Sequence, residues 1–407
     1  MSHRSFTARL SADHLAGNLG QYMILPVLGV FLAAQVGGEW IVGAGLFLYS
    51  ASAGVSALLV NRWLPRFGIV GSMTGSTVLS ALGFGLMPYS HDAAVQMLLI
   101  LLSGFGGSVH FLLSRVLVAE VVPDAVGRHR VYSVLQIAVN LAAALGPFLA
   151  GLLYSSADPR MLLTAVAGCY LLAGLSLQSG IPRDLRPTAT SSRWPVSRDL
   201  LRLAREDPAI RRTVAICVLG AFVYGQLYSA FALFVARDVG SVLVRAALIA
   251  APALAIVVFQ TAVTAATGKL LARGTGPFTL LLYGAVLFSA SMVVLGVGLP
   301  VVLGAALAVA LFSTAEMLFT PMVSTAFAGL PITSTLEAFN LRQVSWTAGE
   351  AIGSLAGGTL FLALDRAGLG HTYWLGVALG TGALLHVLAR RAPGRATAVA
   401  ATREPAA

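Results

Sequence analysis

Apolar runs of bilayer-spanning length follow one another along almost the whole chain, and this leaves few architectures open. A helix that crosses a membrane needs roughly 20 mostly apolar residues, and in lipid it must satisfy its own backbone hydrogen bonds. Runs of that kind lie near 14–34, 41–60, 69–89, 94–114, 132–154, 161–181, 213–235, 244–268, 276–298, 300–323, 338–362 and 371–389. Glycines and prolines inside them are tolerated, because neighbouring helices re-satisfy the freed backbone groups. Of the 407 residues 57% are hydrophobic and 10% charged, with a mean hydropathy of +0.85. A soluble domain carries roughly 25% charged residues. The fold class expected is therefore an all-α membrane protein of about twelve transmembrane helices.

The net charge of +10 would suggest nucleic acid in a soluble protein. Here the distribution of charge accounts for it. With both termini placed in the cytoplasm, every basic residue but Arg160, Arg237, Arg245 and Arg366 falls on the cytoplasmic face, the positive-inside asymmetry. No nucleic-acid partner is expected. Lys269 is the single lysine, and the Arg-, Ala- and Gly-rich composition points to a GC-rich bacterial genome, hence to a bacterial cytoplasmic (inner) membrane. The first apolar run exceeds a typical signal-peptide core and more spans follow, so it is read as a retained helix.

Cys169 and Cys217 both fall in apolar stretches and read as small buried side chains, with no disulfide or metal site expected. The segment Gly71-Ser72-Met73-Thr74-Gly75-Ser76-Thr77 lacks the spacing and lysine of a phosphate loop, and no H-E-x-x-H or G-x-S-x-G pattern occurs. No cofactor and no enzymatic activity are expected.

The chain divides into two echoing halves. Ala57-Leu58-Leu59-Val60-Asn61-Arg62 after the second span matches Gly268-Lys269-Leu270-Leu271-Ala272-Arg273 after the eighth. Gly146-Pro147-Phe148-Leu149-Ala150-Gly151 in the fifth matches Gly353-Ser354-Leu355-Ala356-Gly357-Gly358 in the eleventh. Nearly equal offsets argue for duplicated six-helix bundles, and parallel repeats of this kind place a binding site at their interface near mid-membrane. The halves are expected at 1–181 and 213–391, joined by a cytoplasmic linker over 182–212 and followed by a disordered cytoplasmic tail over 392–407. The linker contains a short amphipathic helix in Ser197-Arg198-Asp199-Leu200-Leu201-Arg202-Leu203-Ala204-Arg205-Glu206-Asp207, with Ser197 as its cap.

These residues carry a resemblance to the major facilitator superfamily over nearly the full chain. The loop signature of that family, G-x-L-x-D-R with a later glycine and basic residues, is echoed by Asn61 (in the aspartate position), Arg62, Arg66, Phe67 and Gly68. Arg128-His129-Arg130-Val131-Tyr132, then Asn140, then Gly146-Pro147 and Gly151, resemble bacterial drug:proton antiporters, as do Glu316-Met317 and Pro321 in the tenth span. Ile100 occupies the place of the fourth-helix arginine common in those exporters. The resemblance implies a secondary transporter working by alternating access in a lipid bilayer, on a small-molecule substrate and protons, and expected to act as a monomer. It also implies gating roles for Asn61, Arg62, Arg66, Gly68, Arg115, Arg128, Asn140, Gly146, Pro147, Gly151 and Arg342. The loop holding Arg115, Glu120, Asp124, Arg128 and Arg130 reads equally as a solvated turn. Pro147 removes a backbone donor and bends its helix, while Gly146 and Gly151 permit close approach.

An ionisable group deep in a membrane costs roughly 2.5–3.5 kcal/mol on insertion scales and so invites a functional reading. Glu316, Glu350 and His110 are such groups. A carboxylate held away from water in a cavity can exchange a proton near neutral pH. Glu316 is therefore the leading proton-coupling candidate, with Glu350 second and His110 its possible partner; the alternative is a structural role for each. Arg342 is placed at the cytoplasmic rim, paired with Glu337 or a helix end. Tyr224, Gln226, Tyr228 and Phe231 of the seventh span, with Gln21, Tyr22, Phe319 and Trp346, form a candidate aromatic pocket for lipophilic or cationic molecules. Ordinary helix packing explains such a stripe equally well. The function expected is proton-coupled efflux of such compounds (drug or natural-product export), against transport of a polar metabolite such as a sugar, an intramembrane enzyme, or a non-transporting scaffold.

Overall fold

The computed structural model describes residues 3–36, 64–154, 158–178 and 198–390, with isolated positions between 44 and 60 and at 181, 185 and 186. Most of the second span, most of the linker including Ser197, and the 392–407 tail lie outside the described residues. Among the described residues every regular element is helical, and ten helices are long and apolar enough to cross a membrane.

The first span begins earlier than expected. A helix runs over His3–Ile24, turns at Leu25-Pro26-Val27, and resumes over Leu28–Gln35. Proline disfavours helical geometry in the residue before it and lacks an N–H, so the break falls at Pro26. The early start places Asp13 and His14 in mid-helix, both buried. The third to sixth spans are Leu64–Leu86, Ala93–Val121, Ala125–Leu153 and Arg160–Gln178. The linker helix Arg198–Glu206 precedes the seventh span, Pro208–Gln226, which continues through a π-helical turn, Leu227–Phe231, into Ala232–Asp238. The eighth to tenth are Val242–Ala272, Pro277–Gly296 and Val301–Ala328. The eleventh, Thr335–Ala356, passes through a second π-helical turn, Gly357–Phe361, to Leu362–Arg366, and the twelfth is Gly370–Arg390.

Short polar caps set the helix starts. The Asp92, Asp124 and Asp207 carboxylates accept from Val95 N (2.9 Å), Gly127 N (2.6 Å) and Ala209 N (2.6 Å), satisfying donors that have no partner in the first turn. At the entry to the third span Gly68 has φ +68° and ψ 179°, a backbone region costly for any residue with a Cβ.

Packing repeats between the halves. The first span packs on the fifth as the seventh does on the eleventh, the third on the fourth as the ninth on the tenth, and the third on the sixth as the ninth on the twelfth. Gly146 and Gly353, the matched glycines, hold equivalent places. A Cβ on Gly146 would stand 2.6 Å from Tyr22 Cβ, and one on Gly353 would stand 2.2 Å from Phe222 O. Each lets two backbones touch, as small residues do between membrane helices.

One apolar core fills the second half, around Phe288, Phe312, Phe319 and Trp374, and two fill the first. Leu336 and Phe339 of the eleventh span join a first-half core, with Phe339 6.3 Å from the Tyr132 ring. The outside of the bundle carries Leu82, Leu172, Leu175, Val258, Tyr283, Leu379 and Leu384, all exposed, an apolar surface suited to acyl chains.

Candidate functional site

The halves meet along the fifth span, which packs on the eighth and tenth, and along the fourth, which packs on the eleventh. At the end of the bundle nearest the chain termini, contacts cross between them. His129 Nε2 meets Thr267 Oγ1 at 2.5 Å, Arg128 Nη1 donates to Ala328 O at 3.1 Å, and Arg115 Nη1 donates to Gln343 Oε1 at 3.4 Å.

Beyond this seal lies a cavity of about 340 Å³ between the halves, which shares Gln21, Ser108, Phe111 and Glu350 with an adjoining cavity of about 550 Å³. Its wall takes Asn18, Gln21 and Tyr22 from the first span, Arg115 from the fourth, Gln136 from the fifth, Tyr224 from the seventh, and Arg342, Trp346 and Glu350 from the eleventh. The Tyr224 and Trp346 rings lie 5.3 Å apart, and the Arg342 guanidinium sits 5.6 Å from the Trp346 centroid. Trp346 Nε1 donates to Glu350 Oε2 at 2.9 Å.

Glu316 is buried one helical turn from Thr320 of this wall. Gln136 Nε2, from the opposite half, donates to its Oε1 at 3.2 Å, and the Tyr224 hydroxyl also bonds it. A charge out of water is tolerated only when hydrogen-bonded or neutralised. The two acids are thus held by polar groups of three spans.

The structure brings together Gln21, Tyr22, Tyr224, Trp346 and Glu350, with Glu316 adjoining. Phe319 is elsewhere: it is fully buried against Phe288 (5.5 Å), in the space left by Gly220 and Gly284. Phe231 packs on Phe234 inside the second half, 6.4 Å between rings. Gln226, fully buried, donates to Gly353 O at 2.9 Å and accepts from the Tyr373 hydroxyl at 2.6 Å. These three serve packing within one bundle, since a 3.6-residue period marks an inward face without saying whether core or cavity lies there. The Tyr228 side chain lies outside the described residues.

Arg115 is not in a loop. The fourth helix continues to Val121, which carries Arg115 into the cavity wall, and its carbonyl accepts from the Tyr132 hydroxyl at 2.9 Å. Arg342 stands deeper than the rim position expected, buried beside Trp346. Asn140 is buried, its Nδ2 donating to Gln136 O at 3.0 Å on the helix that presents Gln136. Pro147 lies inside the fifth helix, and Gly151 has open space beside it. Arg66 is exposed, while Asn61 and Arg62 lie outside the described residues.

His110 does not meet Glu316. Its Nε2 lies 3.1 Å from Asp13 Oδ2, and His14 Nδ1 lies 3.5 Å from the same oxygen, all three side chains being buried. Sequence reasoning missed Asp13, His14 and Gln136. Asp13 and His14 sat at the assumed edge of the first span; only the longer helix from His3 makes them interior.

A sequence model described as the Major Facilitator Superfamily matches residues 14–335, most of the chain. Among solved structures, FucP in its outward conformation aligns with a TM-score of 0.74 at 14% identity, covering 97% of this chain and 100% of that one. The human organic anion transporter MFSD10 (TETRAN) aligns at 0.69 and 18% identity, covering 95% and 100%. At such identities the likeness concerns the fold alone. A Na(+), Li(+), K(+)/H(+) antiporter of Planococcus maritimus is 25% identical over 181 residues, 43% of this chain and 42% of that protein, so the match spans less than half of either. With matched helices in two halves around a shared cavity and a family model that covers most of its length, the chain belongs to the Major Facilitator Superfamily and is a multi-pass membrane transporter.

Proposed function

We propose that the protein is a proton-coupled antiporter that exports lipophilic or cationic small molecules by alternating access. It works as a monomer in a bacterial cytoplasmic membrane with both termini inside. One observation carries this reading: Glu316, buried one helical turn from Thr320 of the cavity wall, is tied to Gln136 of the opposite half. Closing the halves around an ionised Glu316 is costly, so a proton or a cationic cargo that neutralises it lowers the cost of exchange between open states. Proton and cargo then compete for one carboxylate, which is antiport. Glu350 and the Tyr224–Trp346 pair lie in the same cavity and suit a cation with an apolar body. The partial likeness to a cation/proton antiporter agrees with the exchange chemistry.

A second reading has its own support. Asn18, Gln21, Gln136 and Gln343 give the cavity an amide-rich wall, which suits a hydroxylated cargo such as a sugar. Inverted membrane vesicles with an imposed pH gradient separate the two. Lipophilic cations accumulate and release protons, and Glu316→Gln abolishes the dependence on the gradient. Sugar uptake instead of cation uptake selects the second reading. A Glu316→Gln protein that still follows the gradient removes the carboxylate from the mechanism.

A further inference from the structure

The proposed mechanism leaves unused a second buried group of ionisable side chains, Asp13 and His14 on the first span and His110 on the fourth. Its geometry is unlike that of an ordinary ion pair. His110 Nε2 and His14 Nδ1 stand 3.1 and 3.5 Å from one oxygen, Asp13 Oδ2, so two imidazoles and a carboxylate share a single point of approach, all three side chains buried. Three buried ligand atoms converge within 4.8 Å of one another. Holding a carboxylate and two imidazoles together in a low-dielectric interior is costly unless their lone pairs and charge are satisfied.

An ion at the point of convergence resolves that cost. With metal–ligand bonds of about 2.0–2.1 Å, neighbouring ligands of a tetrahedral ion stand about 3.4 Å apart. The two Asp13–histidine separations, 3.1 and 3.5 Å, bracket that value, and the third edge, between the histidines, lies within 4.8 Å. Two imidazoles and one carboxylate are a borderline-soft donor set, suited to zinc, cobalt or nickel and poorly suited to sodium, magnesium or calcium. The surroundings hold the ligands in place. Phe111 meets the His14 and His110 rings edge-on, at 5.8 and 5.4 Å. Ser114 Oγ lies 3.4 Å from His14 Nε2, engaging the far nitrogen and leaving Nδ1 for the ion, as outer-shell partners do. An entry path exists as well, because His14 lines the central cavity while Asp13 and His110 stand fully buried behind it.

We propose that Asp13, His14 and His110 form a three-ligand site for one divalent transition-metal ion, its fourth position open to the transport cavity. The site ties the first span to the fourth and is independent of the cargo assigned above.

The test uses the full chain in detergent micelles, purified through an affinity tag without histidines and titrated with cobalt chloride. The expected result is one Co2+ per chain with the intense visible absorption of a four-coordinate ion, displaced by zinc. Asp13→Asn and His110→Gln each weaken binding at least about tenfold, as loss of a ligand must when loss of a mere outer-shell partner costs 10–100-fold. The exposed His91→Gln and His371→Gln leave it unchanged. X-ray absorption on the wild-type cobalt protein shows two imidazoles and one or two oxygens, a readout that stands if a variant fails to fold. No saturable binding, a weakly absorbing six-coordinate spectrum, or binding untouched by Asp13→Asn in a monodisperse protein each overturns the proposal and leaves an internal Asp–His pair.

Discussion

Replacing Gly353 by alanine tests the close contact on which the second half is built. In an open helical position alanine is favoured over glycine by about 1 kcal/mol. At Gly353 the added Cβ would stand 2.2 Å from Phe222 O, 2.9 Å from its carbonyl carbon and 3.0 Å from its Cα. These are backbone atoms and cannot rotate aside. A carbon against a carbonyl oxygen settles at about 3.3–3.6 Å, so the seventh and eleventh spans must part by roughly 1 Å. Overpacking of this kind costs about 1–3 kcal/mol. The same shift loosens the bond from Gln226 Nε2 to Gly353 O, now 2.9 Å, worth about 1 kcal/mol. After subtracting the alanine preference, the net loss is about 1–3 kcal/mol. Gly380 supplies the control, since it lies mid-helix in the twelfth span, where an added Cβ would meet no atom within 4 Å. Thermal unfolding in detergent, at one scan rate because such unfolding is commonly irreversible, gives the comparison. Gly353→Ala lowers the midpoint and Gly380→Ala holds or raises it. A Gly353→Ala protein that unfolds at or above the wild-type temperature refutes the contact.

Three further outcomes are expected. Gly68→Ala lowers the unfolding midpoint, because φ +68° with ψ 179° costs a residue with a Cβ about 1–3 kcal/mol; an unchanged midpoint shows the turn to be relaxed in solution. Trp346→Phe removes the donor to Glu350 and leaves a smaller ring beneath Arg342, so the KM for a cationic cargo rises several-fold in vesicle transport while protein yield holds; an unchanged KM places cargo elsewhere. Arg128→Ala deletes a bond between the halves worth about 1 kcal/mol, shifting the balance roughly fivefold toward opening at the terminus-bearing end. Spin labels at Arg130 and Lys269 should then report a longer-distance population, and an unaltered distribution denies Arg128 a part in the seal.

The membrane class, the two-bundle architecture and the approximate places of the third to twelfth spans were legible in the sequence, because lipid enforces them residue by residue. About twenty apolar positions are needed for each crossing, and two halves built alike keep matched small residues where backbones touch. Thus Gly146 and Gly353, paired by offset alone, fill equivalent places. Within the site Glu316, Glu350, Tyr224 and Trp346 announced themselves as costly or bulky groups deep in apolar runs. What the sequence did not hold was the facing of each helix. Periodicity is the same for a stripe against its own bundle, as with Phe319 and Gln226, and for one against the cavity, as with Tyr224. Nor did it hold where helices run past their apolar cores, which is why Arg115 and Asp13 became interior. Side chains meet across spans only when rigid helices dock, so the link from Gln136 to Glu316 and the convergence of Asp13, His14 and His110 belong to the tertiary structure alone.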